Sequence, residues 1–336
     1  MAAPEGDQKQ VVDQLPDRVY KYRSFSNRTI EMLVEDQLFY ADPSTFNDPL
    51  DTRPTLKADV NAVALQEMLR TFVERRTTAE LEAAANTIRY RGPKTVEHIL
   101  RLGRQQAEKM LQEVAYNATN PDYEMENPDV FLLTNYVERE LLRQYDKGLV
   151  SLSERWQSPL MWSHYGDQHR GLCIGYSVPG DVGDSLRKMN YGGSRLVQAS
   201  AVAAMLRGDA GAQRLVDDLV LLQKAPDWSY ECEWRLVGRR GPQDSPLEME
   251  EITFGMRCDL AVKYAIVRAL EGRQRPVSFY EMHEVEGTFD LRRRVLDVAE
   301  LGVSLPRRAR YYLGVFDQLP EIELPLQKAT TSGDVQ

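Results

Sequence analysis

The chain has 336 residues, enough for about two domains or for one large domain carrying an insertion. Its 42 Lys and Arg stand against 51 Asp and Glu, a formal charge of -9, so no overall positive field draws in nucleic acid. Apolar runs are a few residues long, far short of the roughly 18 that span a bilayer, and the opening MAAPEGDQKQ has no basic stretch followed by an apolar one. These features predict a cytoplasmic protein without a membrane segment.

Residues 1–16 and 324–336 are polar and show no apolar period, which predicts two flexible tails. From Arg18, RVYKYRSF reads as a strand, Ser26 or Asn27 caps a helix running to Glu35, and QLFYA reads as a second strand. Phe46-Asn47-Asp48-Pro49 then breaks regular structure, because Asn and Asp favour side-chain turns and Asp48 precedes proline. Helical spacings follow, with Leu65, Met68, Leu69 and Phe72, then Val96, Ile99, Leu100 and Leu102, and with breaks at Arg91-Gly92-Pro93 and at 117–127. Strand text returns at Gly148 to Ser153 and Gly171 to Val178. A helix is expected from about Asp209 to Gln223, a strand at Glu233 to Val237, a helix at Leu260 to Glu271, and strands at Val277 to Glu284 and Phe289 to Val295. The pattern predicts an α+β core with a mixed or antiparallel sheet, formed by 17–56 and 148–323 and interrupted by a helical insertion at 57–147.

Cys173, Cys232 and Cys258 contain no CxxC pair, which argues against a disulfide framework and against structural zinc. His164 and His169 lie five apart, a spacing that fits no helical metal pair, so no metal site is expected. Phosphate-loop, dinucleotide-loop, HExxH, GxSxG and EF-hand patterns are all missing. Four clusters instead gather aromatic and titratable residues: Tyr20 to Ser24, Phe46 to Pro49, Ser151 to Gly171, and Lys224 to Arg235. All four tryptophans lie in the last two, a concentration that suits a lined pocket.

On a strand, Glu231 and Glu233 share a face while Cys232 and Trp234 take the other. Two such carboxylates can stabilise positive charge and activate a nucleophile. They can also be solvated groups of an edge strand, paired with Arg235 or Lys224. Arg23 shares a face with Lys21, and a guanidinium on a rigid strand suits a phosphate, or else a surface ion pair. Ser151 and Ser153 share a face likewise and can orient a neighbouring carboxylate.

Lys21 to Ser24, Phe46 to Pro49, Ser151 to Ser153, Met161 to Tyr165 with His169 and Gly171, and Trp228 to Arg235 together resemble a widespread bacterial family, domain of unknown function 2971. More loosely, an Arg on the first strand, Ser-x-Ser on a central one and Glu-x-Glu on a late one are similar to the Arg-Ser-Glu mono-ADP-ribosyltransferases. That resemblance implies an ADP-ribosyltransferase-like core and NAD as substrate. It implies catalytic roles for Glu233 on the nicotinamide ribose, Glu231 on the acceptor, Ser151 in ordering the site and Arg23 on the phosphates. Lys21, Tyr22, Arg23, Trp162, His164, Tyr165 and Trp228 are then the NAD-binding set.

Three functions are thus open. The first is an NAD-dependent ADP-ribosyltransferase or NAD glycohydrolase, as a toxin or anti-phage effector acting on a protein or nucleic-acid acceptor. On this reading Glu233→Gln abolishes nicotinamide release and leaves the melting temperature unchanged. The second is a nuclease or phosphodiesterase using His164, His169 and Asp48. The third is a non-catalytic nucleotide sensor whose helical insertion docks a partner protein.

Overall fold

The computed structural model describes residues 14–87, 92, 94–145 and 147–307. The chain begins with β1 (Arg18–Arg23), α1 (Asn27–Val34), β2 (Gln37–Tyr40) and β3 (Thr55–Lys57), then runs through α2 (Ala62–Thr87), α3 (Thr95–Asn117) and α4 (Pro128–Gln144). β4 (Gly148–Ser153), α5 (Pro159–His164), β5 (Leu172–Ser177), β6 (Leu186–Lys188), β7 (Asn190–Tyr191) and β8 (Leu196–Gln198) follow. Next come α6 (Ala199–Leu206), α7 (Ala210–Leu221), β9 (Gln223–Lys224), β10 (Glu233–Gly238), β11 (Gly241–Asp244) and β12 (Glu248–Phe254). The last elements are α8 (Leu260–Ala269), β13 (Ser278–Glu284), β14 (Leu291–Val295) and α9 (Val298–Ser304).

Local chemistry sets several of the helix starts. The Ser26 hydroxyl accepts from the Thr29 amide at the head of α1, and Asp209 accepts from Gly211 and Ala212 at the head of α7. Pro128 and Pro159 occupy the first turns of α4 and α5, where a missing N–H costs nothing.

Eight strands form one mixed sheet in the order β14-β13-β12-β5-β1-β4-β10-β6. Every neighbouring pair is antiparallel except β12 and β13, which the crossover through α8 makes parallel. β1 pairs with β5 from Arg18 to Arg23, and β4 pairs with β10 along its whole length. Between β1 and β4, however, a single position is paired, Tyr20 opposite Ser153. The sheet therefore forks at this point, and the fork positions the site described below.

One face of the sheet buries Val19, Leu152, Ile174, Trp234 and Ile252 against Leu33 of α1 and Ile266 of α8. A second core joins α2 and α4 to α6 and α7 through Leu69, Phe72, Val137, Leu141, Val202 and Val220. It includes Leu149 and Val197, so the helices between β3 and β4 share their apolar centre with the rest of the chain. Leu65, Met68, Leu69 and Phe72 are buried as their spacing predicts. In α3 the buried line is instead Ile99, Gly103, Ala107 and Val114, while Val96 and Leu100 face solvent. The expected quartet wraps around the helix, whereas the observed one keeps to a single stripe of period near 3.6.

Several elements escape the sequence reading: α5, α6, α9, β12 and the short strands β3, β6, β7, β8, β9 and β11. β12 occupies the middle of the sheet, but its text EMEEITF is acidic, and a bulge between Met249 and Glu251 interrupts the alternation that would mark a strand. α6 is a short, nearly uniform run of small residues without a readable period. Of the expected tails, 14–16 are described, and Leu15 packs against the first core. Residues 1–13 and 324–336, with the stretch 308–323 read as part of the core, lie outside the described residues. Among the described residues no helix is long and apolar enough to cross a membrane.

Glu251 in β12 is buried and accepts hydrogen bonds from Arg18 (2.8 Å) and Arg293 (2.6 Å). Arg293 in turn lies over the rings of Trp156 (4.6 Å) and Tyr280 (4.2 Å). Glu251→Ala leaves the part-buried Arg293 guanidinium without its counter-ion and is expected to cost about 3 kcal/mol, the low end for a broken buried pair, read as a lower urea midpoint. Glu250→Ala, which removes a part-exposed carboxylate paired with Arg18, should cost less than about 1 kcal/mol.

Candidate functional site

A cavity of about 420 Å³ opens beside the fork between β1 and β4. Lys21 and Tyr22 from β1, Ser151 and Ser153 from β4, Glu231 just before β10 and Glu233 at its start line it. Phe46, Asn47 and Asp51 from the loop after β2, with His164 and Tyr165 at the end of α5, complete the wall. β1, β4 and β10 are consecutive in the sheet, so the Arg, Ser and Glu motifs lie on three neighbouring strands.

The two glutamates converge by a different route from strand alternation. Pro226 to Glu231 form a 3-10 turn, Cys232 adopts the left-handed conformation (φ 44°), and β10 starts only at Glu233. This reversal turns both carboxylates toward one ammonium group. Lys224 lies 2.5 Å from Glu231 Oε2 and 2.9 Å from Glu233 Oε2. The Ser153 hydroxyl fixes the turn by donating to the Glu231 carbonyl (2.6 Å).

Both glutamates, Lys224 and Arg235 are buried, and β10 lies between β4 and β6, so these are not solvated groups of an edge strand. Arg235 donates from Nε to Glu233 Oε1 (2.8 Å) and grips Asp51 with both terminal nitrogens (2.9 and 2.6 Å). Asp51 closes this cluster from the other half of the chain. Nothing in its local sequence marks a buried charge, since it follows a turn-forming Asn-Asp-Pro.

The surroundings separate the two carboxylates chemically. Burial alone raises Glu233, but the Arg235 guanidinium and the Lys224 ammonium overcome it and bring it down to about 2. Burial raises Glu231 above the ordinary carboxylate range, Lys224 offsets part of this, and the Glu233 charge adds to it. Its Oε1 accepts from the Tyr165 hydroxyl at 2.7 Å. Burial and the nearby Arg23 lower Lys21 to about 7, although its ammonium donates to the Ser151 carbonyl across the fork (2.7 Å). Glu233 is thus held as the anion, and Glu231 is the more readily protonated of the two.

Arg23 lies outside this cavity and lines an adjoining one of about 320 Å³ with Ser24, Ser26, Thr29 and Phe39. Lys21, Tyr22, Phe46, Ser151 and Tyr165 line both, so the two spaces share one wall. Trp162 has no face free for a ligand. It is fully buried, its indole donates to the Trp156 carbonyl, and it packs between Tyr22 and His169. Trp228 is not part of the cavity lining. Its indole donates to Asp48 (2.9 Å), and the Lys224 ammonium lies 5.2 Å from its ring centre.

His164, His169 and Asp48 are not gathered into one group. His164 lines the cavity and bonds the Tyr230 hydroxyl (3.0 Å), whereas His169 is stacked on Trp162 in a left-handed turn. Asp48 accepts from the Leu50 amide and from Trp228, which makes it a turn former and a clasp. Among the described residues no group of three or more His, Cys, Asp or Glu side chains is arranged to hold a metal ion. Comparison of the chain with protein-family models, with curated proteins and with solved structures finds no match.

The expectation that Glu233→Gln leaves the melting temperature unchanged falls with this geometry. The amide would replace the charge that faces both Lys224 and Arg235, so the variant is expected to melt at a lower temperature. Two pH effects follow from the shifted groups. Glu233 is depressed, so its stabilisation is present above its ordinary value of 4.5 and is lost as pH falls from there toward about 2. Lys21 is depressed from 10.5 to about 7, so between those values the unfolded chain binds more protons and stability rises with pH. Melting temperatures measured from about pH 7 to about 9, below the ordinary tyrosine range, should rise in the wild type. The rise should be smaller in Lys21→Met, and an unchanged slope would remove the assignment to Lys21.

Proposed function

We propose that the chain acts on NAD as a mono-ADP-ribosyltransferase or NAD glycohydrolase, on an ADP-ribosyltransferase-like arrangement of β1, β4 and β10. One observation carries the reading: Ser151 and the two electrostatically distinct glutamates meet in a cavity that shares a wall with the space beside Arg23. The loose resemblance of Arg23, Ser151, Glu231 and Glu233 to the Arg-Ser-Glu enzymes points the same way.

The chemistry asks for two separated functions, and the residues offer both. Cleavage of the bond between nicotinamide and ribose sends its electron pair to the nicotinamide nitrogen and leaves an oxocarbenium-like carbon. Glu233, ionised and held from both oxygens, stabilises that positive charge. Glu231 accepts the proton of the attacking acceptor, which is a macromolecular group in the transferase and water in the glycohydrolase. Three carboxylates, Asp51, Glu231 and Glu233, face two fully committed cations, Lys224 and Arg235, so the ionised cluster carries one surplus negative charge whenever Lys21 is neutral. A cationic nicotinamide ring suits that surplus. Arg23 supplies positive charge for the pyrophosphate, and Lys21 adds to it when protonated. An enzyme that consumes NAD in this way fits a toxin or anti-phage effector.

The test is incubation of the full chain with radiolabelled NAD and a bacterial lysate, following free nicotinamide and label on protein and nucleic acid. The wild type is expected to release nicotinamide. Glu233→Gln should reduce release by at least about 100-fold when assayed well below its own melting temperature. Glu231→Gln should slow transfer while retaining more of the stability, because Arg235 keeps both its partners. A folded wild type that binds NAD without releasing nicotinamide is a sensor, and one that neither binds nor consumes NAD ends the proposal.

A further inference from the structure

Of the two lysines on the cavity wall, Lys224 is committed to Glu231 and Glu233, whereas Lys21 has no ion pair among the described residues. Its nitrogen donates to the Ser151 carbonyl at 2.7 Å, and the nearby charge on its own strand is the guanidinium of Arg23. Burial, and then that guanidinium, bring Lys21 from 10.5 to about 7. Near neutral pH a large share of it is therefore the neutral amine, the form that attacks electrophilic carbon. Cleavage of a bond between nicotinamide and ribose needs no such nucleophile.

The rest of the wall selects the carbon. Glu231, on the same cavity and held above the ordinary carboxylate range, offers a carboxyl that can give and take a proton. Arg23 makes no hydrogen bond or ion pair among the described residues, and it shares the adjoining space with Lys21, Ser24, Ser26 and Thr29. An uncommitted guanidinium in a polar space suits a phosphate. Lys21 and Arg23 are two apart on β1, so their Cα atoms stand about 7 Å apart along the strand. That spacing matches the reach of an open pentose from its aldehyde carbon to a phosphate on its fifth carbon.

We infer that Lys21 captures the aldehyde of a sugar phosphate as an imine, with the phosphate held at Arg23. The Nζ lone pair forms a bond to the aldehyde carbon. Both Nζ protons pass to the carbonyl oxygen through the Glu231 carboxyl, and that oxygen leaves as water. Amine and aldehyde thus give one C=N bond and one water, and Glu231 ends as it began. Two sources share this chemistry. One is a free sugar phosphate such as ribose 5-phosphate. The other is ADP-ribose, and that source alone rests on the NAD-cleaving reading, because hydrolysis of NAD would release it.

Reductive trapping tests the capture. The full chain is incubated at pH 7 with sodium cyanoborohydride and ribose 5-phosphate, ADP-ribose or unphosphorylated ribose, and the adduct is mapped by peptide mass spectrometry. Lys21 is expected to be labelled at least about tenfold faster than any other lysine side chain, because the others remain protonated. A phosphorylated sugar should label it at least about tenfold faster than ribose, and Arg23→Met, checked for an intact melting transition, should remove that preference. Labelling by ADP-ribose alone assigns the site to a nucleotide sugar, labelling by ribose 5-phosphate alone assigns it to a free sugar phosphate, and either supports the inference. Label spread over surface lysines, with Lys21 no faster than they are, would overturn it, as would equal rates for ribose and both phosphorylated sugars. A chain that traps sugar phosphate at Lys21 but releases no nicotinamide keeps this inference and loses the NAD-cleaving one. A chain that releases nicotinamide and traps nothing at Lys21 does the reverse.

Discussion

The buried cluster of Asp51, Glu231, Glu233, Lys224 and Arg235 is the interaction on which the site depends. Burying one such charge without a partner is costly, so each member requires the others. Arg235 is fully buried and its guanidinium meets Asp51, Glu233 and the Leu221 carbonyl. These contacts tie the loop after β2 to β10 and to the end of α7. The cluster thus joins parts of the chain separated by the whole helical segment. It also leaves the two glutamates unequal, because Glu233 faces two cations while Glu231 shares one cation with a tyrosine.

The backbone makes room for this cluster in two places. At the fork, β1 and β4 give up their pairing beyond Tyr20 and Ser153, and the Lys21 ammonium takes the Ser151 carbonyl in place of a strand partner. At Cys232, a left-handed residue stops the 3-10 turn before β10 starts, and the Glu231 and Cys232 carbonyls accept from the Ser153 hydroxyl and the Glu154 amide. A side chain other than glycine in that conformation is strained by of order 1 kcal/mol or more. Here the strain coincides with the convergence of two carboxylates on one lysine.

The aromatic residues divide by burial rather than by type. Trp162 and Trp234 are core, and their indole N–H groups are satisfied by the Trp156 carbonyl and by Glu154. Tyr165 and His164 reach the cavity. Sequence clustering placed all of them near the site, because the same loops that shape a pocket also bury its floor. Only packing separates a ring that lines a cavity from one that supports it.

The sequence by itself determined the strands carrying Lys21, Ser151 and Glu233, the Ser26 cap, the turn at Asn47 and Asp48, and the first stripe of α2. Each is written in local spacing or in a short-range hydrogen bond. Tertiary structure alone decided that Asp51 is a buried counter-ion, that β12 is a central strand, and that the glutamates meet through a left-handed turn. Those outcomes depend on groups far apart in the chain, such as Asp51 with Arg235 and Glu251 with Arg18 and Arg293. Burial, which sets the cost of every charge here, is a property of the whole packed molecule and leaves no mark in the spacing of one segment.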